Sequence, residues 1–181
     1  MKTKVNDIMV VLDNIRSREN VGSIFRTADA AGVNKIYLCG ITPAPNIGNP
    51  KQIKNSDKIA KTALGAETWV PWEYHAQTWN VLRKLKVDPP AGGVKLKVIG
   101  LEQTINSKNI FKYKNNRPTK SGESRPKGAE KIALVLGNEV KGLSPRILKY
   151  CDVAVSIPMY GKKESLNVAV AAGIALYQIL R

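Results

Sequence analysis

Three short polar stretches carry the residue types able to do chemistry in this chain. Asn20-Val-Gly-Ser-Ile-Phe-Arg26 places an arginine one turn beyond a glycine and a serine. Gly137-Asn-Glu139-Val-Lys-Gly142 brackets an acid and a lysine between two glycines. Glu164, Ser165 and Asn167 stand where a strand and loop run into a nearly all-apolar helix. A helix entrance suits ligand chemistry, because its first N–H groups lack intrahelical partners. Spacing leaves Arg26 open between two roles. It is either a solvated arginine, paired with Asp29 or left free, or an anion or ribose contact beside a glycine that leaves room for a ligand. His75 is the sole histidine, so a histidine-based metal cluster is excluded. Its setting, Trp72-Glu73-Tyr74-His75 at an expected helix start, points to a structural or capping role rather than a triad. Neither G-x-G-x-x-G after the first strand nor G-x-x-x-x-G-K-[ST] anywhere is present, which excludes the standard dinucleotide and phosphate-loop fingerprints.

The elements that must position these residues follow from periodicity. Ile8 to Leu12, Lys35 to Cys39, Lys131 to Leu136 and Cys151 to Ile157 read as strands, their apolar runs suited to burial on both faces. Val94 to Leu101 alternates valine and leucine with lysine and reads as a strand near a sheet edge. Helices are predicted over Val21 to Ala31 with Asn20 as N-cap, Ser56 to Ala66, His75 to Lys86, Pro145 to Tyr150 behind a Ser144 cap, and Ser165 to Leu180. Strands alternating with helices give an α/β fold, a mostly parallel sheet with helices on both faces. The chain's 181 residues suit a single domain, 1–181, with a flexible basic insertion at 108–130 that holds two prolines and a run of lysines and arginines.

Composition narrows the partners. Lys+Arg is 29 against 14 for Asp+Glu, a net charge of +15, which attracts polyanions, nucleic acid ahead of an anionic membrane. Cys39 and Cys151 sit in strand-like apolar surroundings without a C-x-x-C, as in a reduced cytoplasmic protein. No stretch has the length of a transmembrane helix, and the start lacks the pattern of a signal peptide.

Taken together and in order, Asn20 to Val33, Leu136 to Ser144 and Ile157 to Ala172 closely resemble the three motifs of the SpoU (TrmH) family of RNA ribose 2′-O-methyltransferases, in the SPOUT superfamily. The resemblance runs from about Val10 to Arg181. It implies a C-terminal deep trefoil knot, an exception to the rule against knots. It further implies S-adenosyl-L-methionine as cofactor, a homodimer with the site near the subunit interface, and no metal. The substrate class would be tRNA or rRNA. Alternatives within the same fold are a catalytically inactive RNA-binding member and a base-modifying methyltransferase.

By motif position, Gly137, Ile157 and Leu166 match backbone contacts to the cofactor, with Leu136 and Met159 lining the same pocket. Arg26, Asn20, Glu139, Ser165 and Asn167 match the catalytic and ribose-positioning set. An arginine stays protonated in almost any setting, so Arg26 is expected to stabilise a developing alkoxide or grip a phosphate. Glu139 is better suited to fixing Asn20 or a loop. The first strand starts at Ile8, so the N-terminal RNA-binding domain of many relatives is not expected. RNA grip would then fall to the dimer surface and to basic residues, among them Arg16, Arg18, Lys112, Lys114 and Arg117.

Overall fold

The computed structural model describes residues 6–46, 58–87, 95–113 and 131–181. Its strands are β1 (Asn6–Asp13), β2 (Val33–Cys39), β3 (Trp72–His75), β4 (Leu96–Leu101), β5 (Lys108–Asn109), β6 (Lys131–Leu136) and β7 (Val153–Ser156). Its helices are α1 (Arg18–Ala30), α2 (Lys58–Ala63), α3 (Ala66–Trp69), α4 (Thr78–Val87), α5 (Pro145–Leu148) and α6 (Val168–Leu180). The strands form one sheet in the order β3-β2-β1-β6-β4-β7-β5. Every pairing in it is parallel.

Burial on both faces explains the continuous apolar runs. Ile8, Val10 and Leu12 of β1 join Ile132, Leu134 and Leu136 of β6 in one core layer, which includes buried residues of α1 and α6. Met9 and Val11 join Ala133 and Val135 in the other, with residues of α4 and Ile147 of α5. Alternate residues of one strand thus serve opposite layers, as the period-2 pleat requires.

Several boundaries differ from the sequence reading, each for a physical reason. β4 is not near an edge: it lies between β6 and β7, with Val98 and Ile99 fully buried. Its lysines mimicked a half-solvated strand. Trp72 to His75 pairs with β2 as an edge strand, and the helix predicted from His75 begins at Thr78. The helix expected over 56–66 is two short pieces, because Leu64 and Gly65 take positive φ (51° and 96°). Lys108 to Lys112, read as the start of a mobile insertion, instead adds β5 beside β7 and a 3-10 turn with Ile110 fully buried. The remainder of that insertion, 114–130, lies outside the described residues.

Two helix starts bear on the site. α1 begins three residues earlier than predicted, because the Ser17 hydroxyl, not the Asn20 side chain, caps it by accepting from the Asn20 N–H at 3.1 Å. α6 begins three residues later than predicted, capped by Asn167, whose side chain accepts from the Ala169 N–H at 2.9 Å. The first shift frees the Asn20 amide for other bonds. The second leaves Ser165 in the approach loop.

Candidate active site

The carboxyl ends of β6 and β4 and the loop after β7 converge on one cavity of about 330 Å³. Carboxyl ends of strands are where open parallel sheets collect ligands. Gly137 ends β6 at a point where the chain doubles back. A Cβ there would stand 2.5 Å from the Gly142 carbonyl carbon, so only glycine admits this turn. The turn closes through an Asn138–Gly142 bridge. Asn138 braces it further, its side-chain oxygen accepting from the Val140 and Lys141 N–H groups at 3.0 Å while its amide donates to the Asn14 carbonyl at 2.8 Å. Glu139 is thereby held at the tip of a rigid loop.

Glu139 is a hub. Its carboxylate accepts from the Arg16 N–H at 3.0 Å, the Ser17 N–H at 3.0 Å and the Asn20 amide at 3.0 Å. Partial burial works against the charge, but the Arg16 and Ser17 N–H bonds, aided by Asn20, outweigh it and hold this carboxyl below its ordinary range. Because the Asn20 nitrogen faces Glu139, its oxygen faces the other way, where it accepts from the Asn167 amide at 3.0 Å. Asn167 is at the same time the cap of α6. A relay of three side chains therefore ties together the starts of α1 and α6 and the loop after β6.

The cavity is lined by Leu136, Gly137, Ile157, Met159 and Leu166, all five residues predicted to contact cofactor, and by Glu139 and Ser165. Val168 and Ala171 extend its apolar wall. Glu102 and Gln103 also line it and were missed in the sequence. The Glu102 carboxylate accepts from the Leu143 N–H at 2.6 Å and the Gln103 N–H at 2.9 Å, which anchors the far side of the loop after β6. An acid directly after a buried strand was the available signal. It carried no weight while that strand was read as near an edge.

Arg26 is not brought into this group. It lies on the exposed side of α1, outside the cavity lining, with no hydrogen-bond or ion-pair partner among the described residues. Asp29 does not pair with it, since that carboxylate accepts from the Trp69 indole at 2.9 Å. Arg16 and Lys112 present exposed side chains, as does Arg18 at the start of α1. Lys114 and Arg117 lie outside the described residues. His75 bonds Glu73 at 3.1 Å and packs on the Tyr37 ring, away from the cavity. Burial pushes both cysteine thiols up to about 12, so neither is poised as a nucleophile. Among the described residues no group of three or more His, Cys, Asp or Glu could hold a metal, and no helix is long and apolar enough to cross a membrane.

Residues 7–177 match the model of the SpoU rRNA Methylase family. The chain belongs to that family. Among SpoU relatives, it is 29% identical over 181 residues to the tRNA (guanosine(18)-2′-O)-methyltransferase of Aquifex aeolicus, covering all of this chain and 72% of the relative. It is 30% identical over 181 residues to the 23S rRNA (guanosine-2′-O-)-methyltransferase RlmB of Haemophilus influenzae, covering all of this chain and 62% of the relative. The SpoU methyltransferase AviRb of Streptomyces viridochromogenes, solved in complex with the cofactor AdoMet, superposes with a TM-score of 0.73 at 26% identity, over 98% of this chain and 60% of that one. This chain thus spans roughly three fifths to three quarters of these SpoU proteins' lengths.

Proposed function

We propose that this protein is an S-adenosyl-L-methionine-dependent methyltransferase acting on a ribose 2′-hydroxyl of tRNA or rRNA. The observation that carries the reading is the coincidence of the five predicted cofactor residues in one cavity with the Glu139–Asn20–Asn167 relay at its edge. Membership of the SpoU family and the 2′-O-methyltransferase names of its relatives support it. The cavity fits such a cofactor in kind. It is within the size range of small-molecule sites, with an apolar wall of Leu136, Ile157 and Leu166 and polar groups at its rim.

The bound cofactor would supply a methyl group on a sulfonium, transferable to an oxygen nucleophile with a neutral thioether leaving. What falls to the protein is in-line placement, exclusion of water and management of the hydroxyl proton. Glu139 already accepts three N–H bonds, so it is spent on positioning rather than on proton removal. Its role is to fix Asn20, and through Asn20 the approach to α6. Arg26 serves as the cation that stabilises the developing alkoxide or grips a phosphate, with the RNA phosphate assisting proton removal.

Because Arg26 stands apart from the cavity of its own chain, the homodimer reading gains a reason. Val170 (53% exposed) and Tyr177 (55%) lie on one face of α6, with the partly exposed Ile174 between them. That apolar stripe runs beside α1, where Thr27, the neighbour of Arg26, meets Gly173 with 3.6 Å between its methyl and a Cβ built there. A second copy covering the stripe would bring its own Arg26 toward this cavity. The C-terminal knot belongs to the same proposal. β7 inserts between β4 and β5, and α6 then crosses back to α1, β6 and the 3-10 turn. The chain acts as one catalytic domain in the cytoplasm, where free thiols such as Cys39 and Cys151 persist.

The test is methyl transfer from labelled cofactor to bulk tRNA and rRNA, followed by alkaline hydrolysis. A 2′-O-methyl blocks cleavage at its nucleotide. Incorporation without a cleavage block would assign a base methyltransferase, and RNA binding without incorporation an inactive member of the fold.

A further inference from the structure

A second cavity, of about 920 Å³, opens on the other side of the loop after β6, at the carboxyl ends of β1 and β2. It shares Asn138, Val140 and Gly142 with the first cavity, so the two sites flank a single loop. Nothing in the methyl-transfer chemistry uses it. Its charges are ordered by depth. Asp13 lines it while only 4% exposed, whereas Arg16, Lys141 and Arg146 line it with exposed side chains. The Asp13 Oδ1 atom accepts from the Thr78 hydroxyl and from the Asn14 amide, leaving Oδ2 without a partner among the described residues. Trp79 lines the same cavity, with the Arg146 guanidinium 4.6 Å and that of Arg83 5.4 Å from its ring centre.

A buried acceptor beneath a cationic rim selects its ligand. A simple anion would be repelled by Asp13. A cation would be repelled by three basic side chains at the entrance. What satisfies both ends is a neutral N–H edge at depth joined to an anionic group outside, which is the layout of a nucleotide. We propose that this second cavity receives an unstacked nucleotide of the RNA, close to the one that is methylated, and that Asp13 reads an exocyclic amino group on its base. Resting on the RNA methyltransferase reading, the proposal adds a base-selective subsite to it. An amino group stands clear at the base edge as a donor. The ring N–H of uracil is flanked by two carbonyl oxygens, which would face the Asp13 carboxylate unfavourably. The site therefore prefers cytosine, adenine or guanine to uracil.

Cytidine and uridine 5′-monophosphates are the matched probes, equal in size and differing at this edge. With the isotope-labelled full chain, NMR titration of cytidine monophosphate is expected to shift the Trp79 indole and the Lys141 and Gly142 amides. Its affinity should exceed that of uridine monophosphate by about fivefold, the worth of one net hydrogen bond. Asp13→Asn keeps an oxygen for Thr78 but offers a donor in place of Oδ2, so the preference should vanish or invert. Lys141→Ala with Arg146→Ala, both at exposed positions, should weaken both nucleotides alike and keep their ratio. Equal affinities in the unmodified protein, an unchanged ratio in Asp13→Asn, no weakening in the double variant, or no shift with either nucleotide at millimolar concentration would each overturn the proposal. Titration with S-adenosylmethionine reads the first cavity separately. Failure there counts against the methyltransferase reading, while the nucleotide ratio decides this one.

Discussion

At the scale of single residues, the Glu139 carboxylate decides the shape of the site. Three N–H groups converge on it, and it turns the Asn20 amide so that its oxygen meets Asn167. Hydrogen bonds to a charged group contribute roughly 1.5–3 kcal/mol each when broken singly. Glu139→Gln keeps one acceptor oxygen and loses the charge, so it should lower stability by about 1–3 kcal/mol at neutral pH. The pH dependence has a definite sign. The folded carboxyl titrates below its ordinary value of 4.5, so its contribution is complete above that value and is lost as pH falls through the folded one. Urea unfolding should show wild type and Glu139→Gln far apart at pH 7 and converging as pH falls below the carboxyl's ordinary value of 4.5. Parallel curves across that range would refute the charge's role. Arg26→Lys tests a different atom set. It preserves a cation but not the planar fork, so RNA binding should persist while turnover drops by roughly 10²-fold. Near-normal turnover in a single-turnover assay would remove Arg26 from the reaction.

At the scale of elements, Asn167 does two jobs that one substitution can separate. Its oxygen caps α6 and its nitrogen donates to Asn20. Asp at this position keeps the cap, and its charge suits a helix start, but it has no N–H for the Asn20 oxygen. Asn167→Asp should therefore melt within about 1 kcal/mol of wild type while methyl transfer falls sharply, whereas Asn167→Ala should lose the cap's ~1 kcal/mol as well. Thermal unfolding beside initial rates distinguishes them. Asn167→Asp with full activity would mean the bond to Asn20 is incidental.

What was legible in the sequence divides along the same line. The two-face burial of β1 and β6 was plain from unbroken apolar runs, and the loop after β6 from its paired glycines. The helix starts were misplaced because Ser17 and Asn20, like Ser165 and Asn167, are both acceptable cap residues a turn or less apart. Which one caps depends on a partner distant in sequence: Glu139 for Asn20, and Asn20 for Asn167. Glu102 stayed hidden for a similar reason, since its value depends on β4 lying inside the sheet. Arg26 was named from its motif, and nothing local could show that its side chain leaves the cavity of its own chain.

At the scale of the whole molecule, an exposed apolar stripe and a displaced arginine point the same way. α6 is the most apolar helix of the described residues, and Val170 and Tyr177 keep more than half of their surface exposed. Left in water, such a face offers no stabilisation. Covered by the same face of a second copy, each side chain would lose its remaining exposed half, a contribution on the order of 1 kcal/mol apiece. Val170→Asp with Tyr177→Asp would place two like charges per chain into that contact, and both positions are exposed in the single chain, so the fold itself should tolerate them. Sedimentation equilibrium at micromolar concentration should then find a dimer for the unmodified protein and a monomer for the double variant, with unchanged far-ultraviolet circular dichroism. If Arg26 works across the contact, the monomer should also be inactive. Mixing it with an excess of Arg26→Lys protein should not restore turnover, since the mixture pairs no intact cavity with an intact arginine across a sound interface. A monomeric unmodified protein with full activity would show that α6 needs no cover, and that Arg26 reaches the ribose from within its own chain.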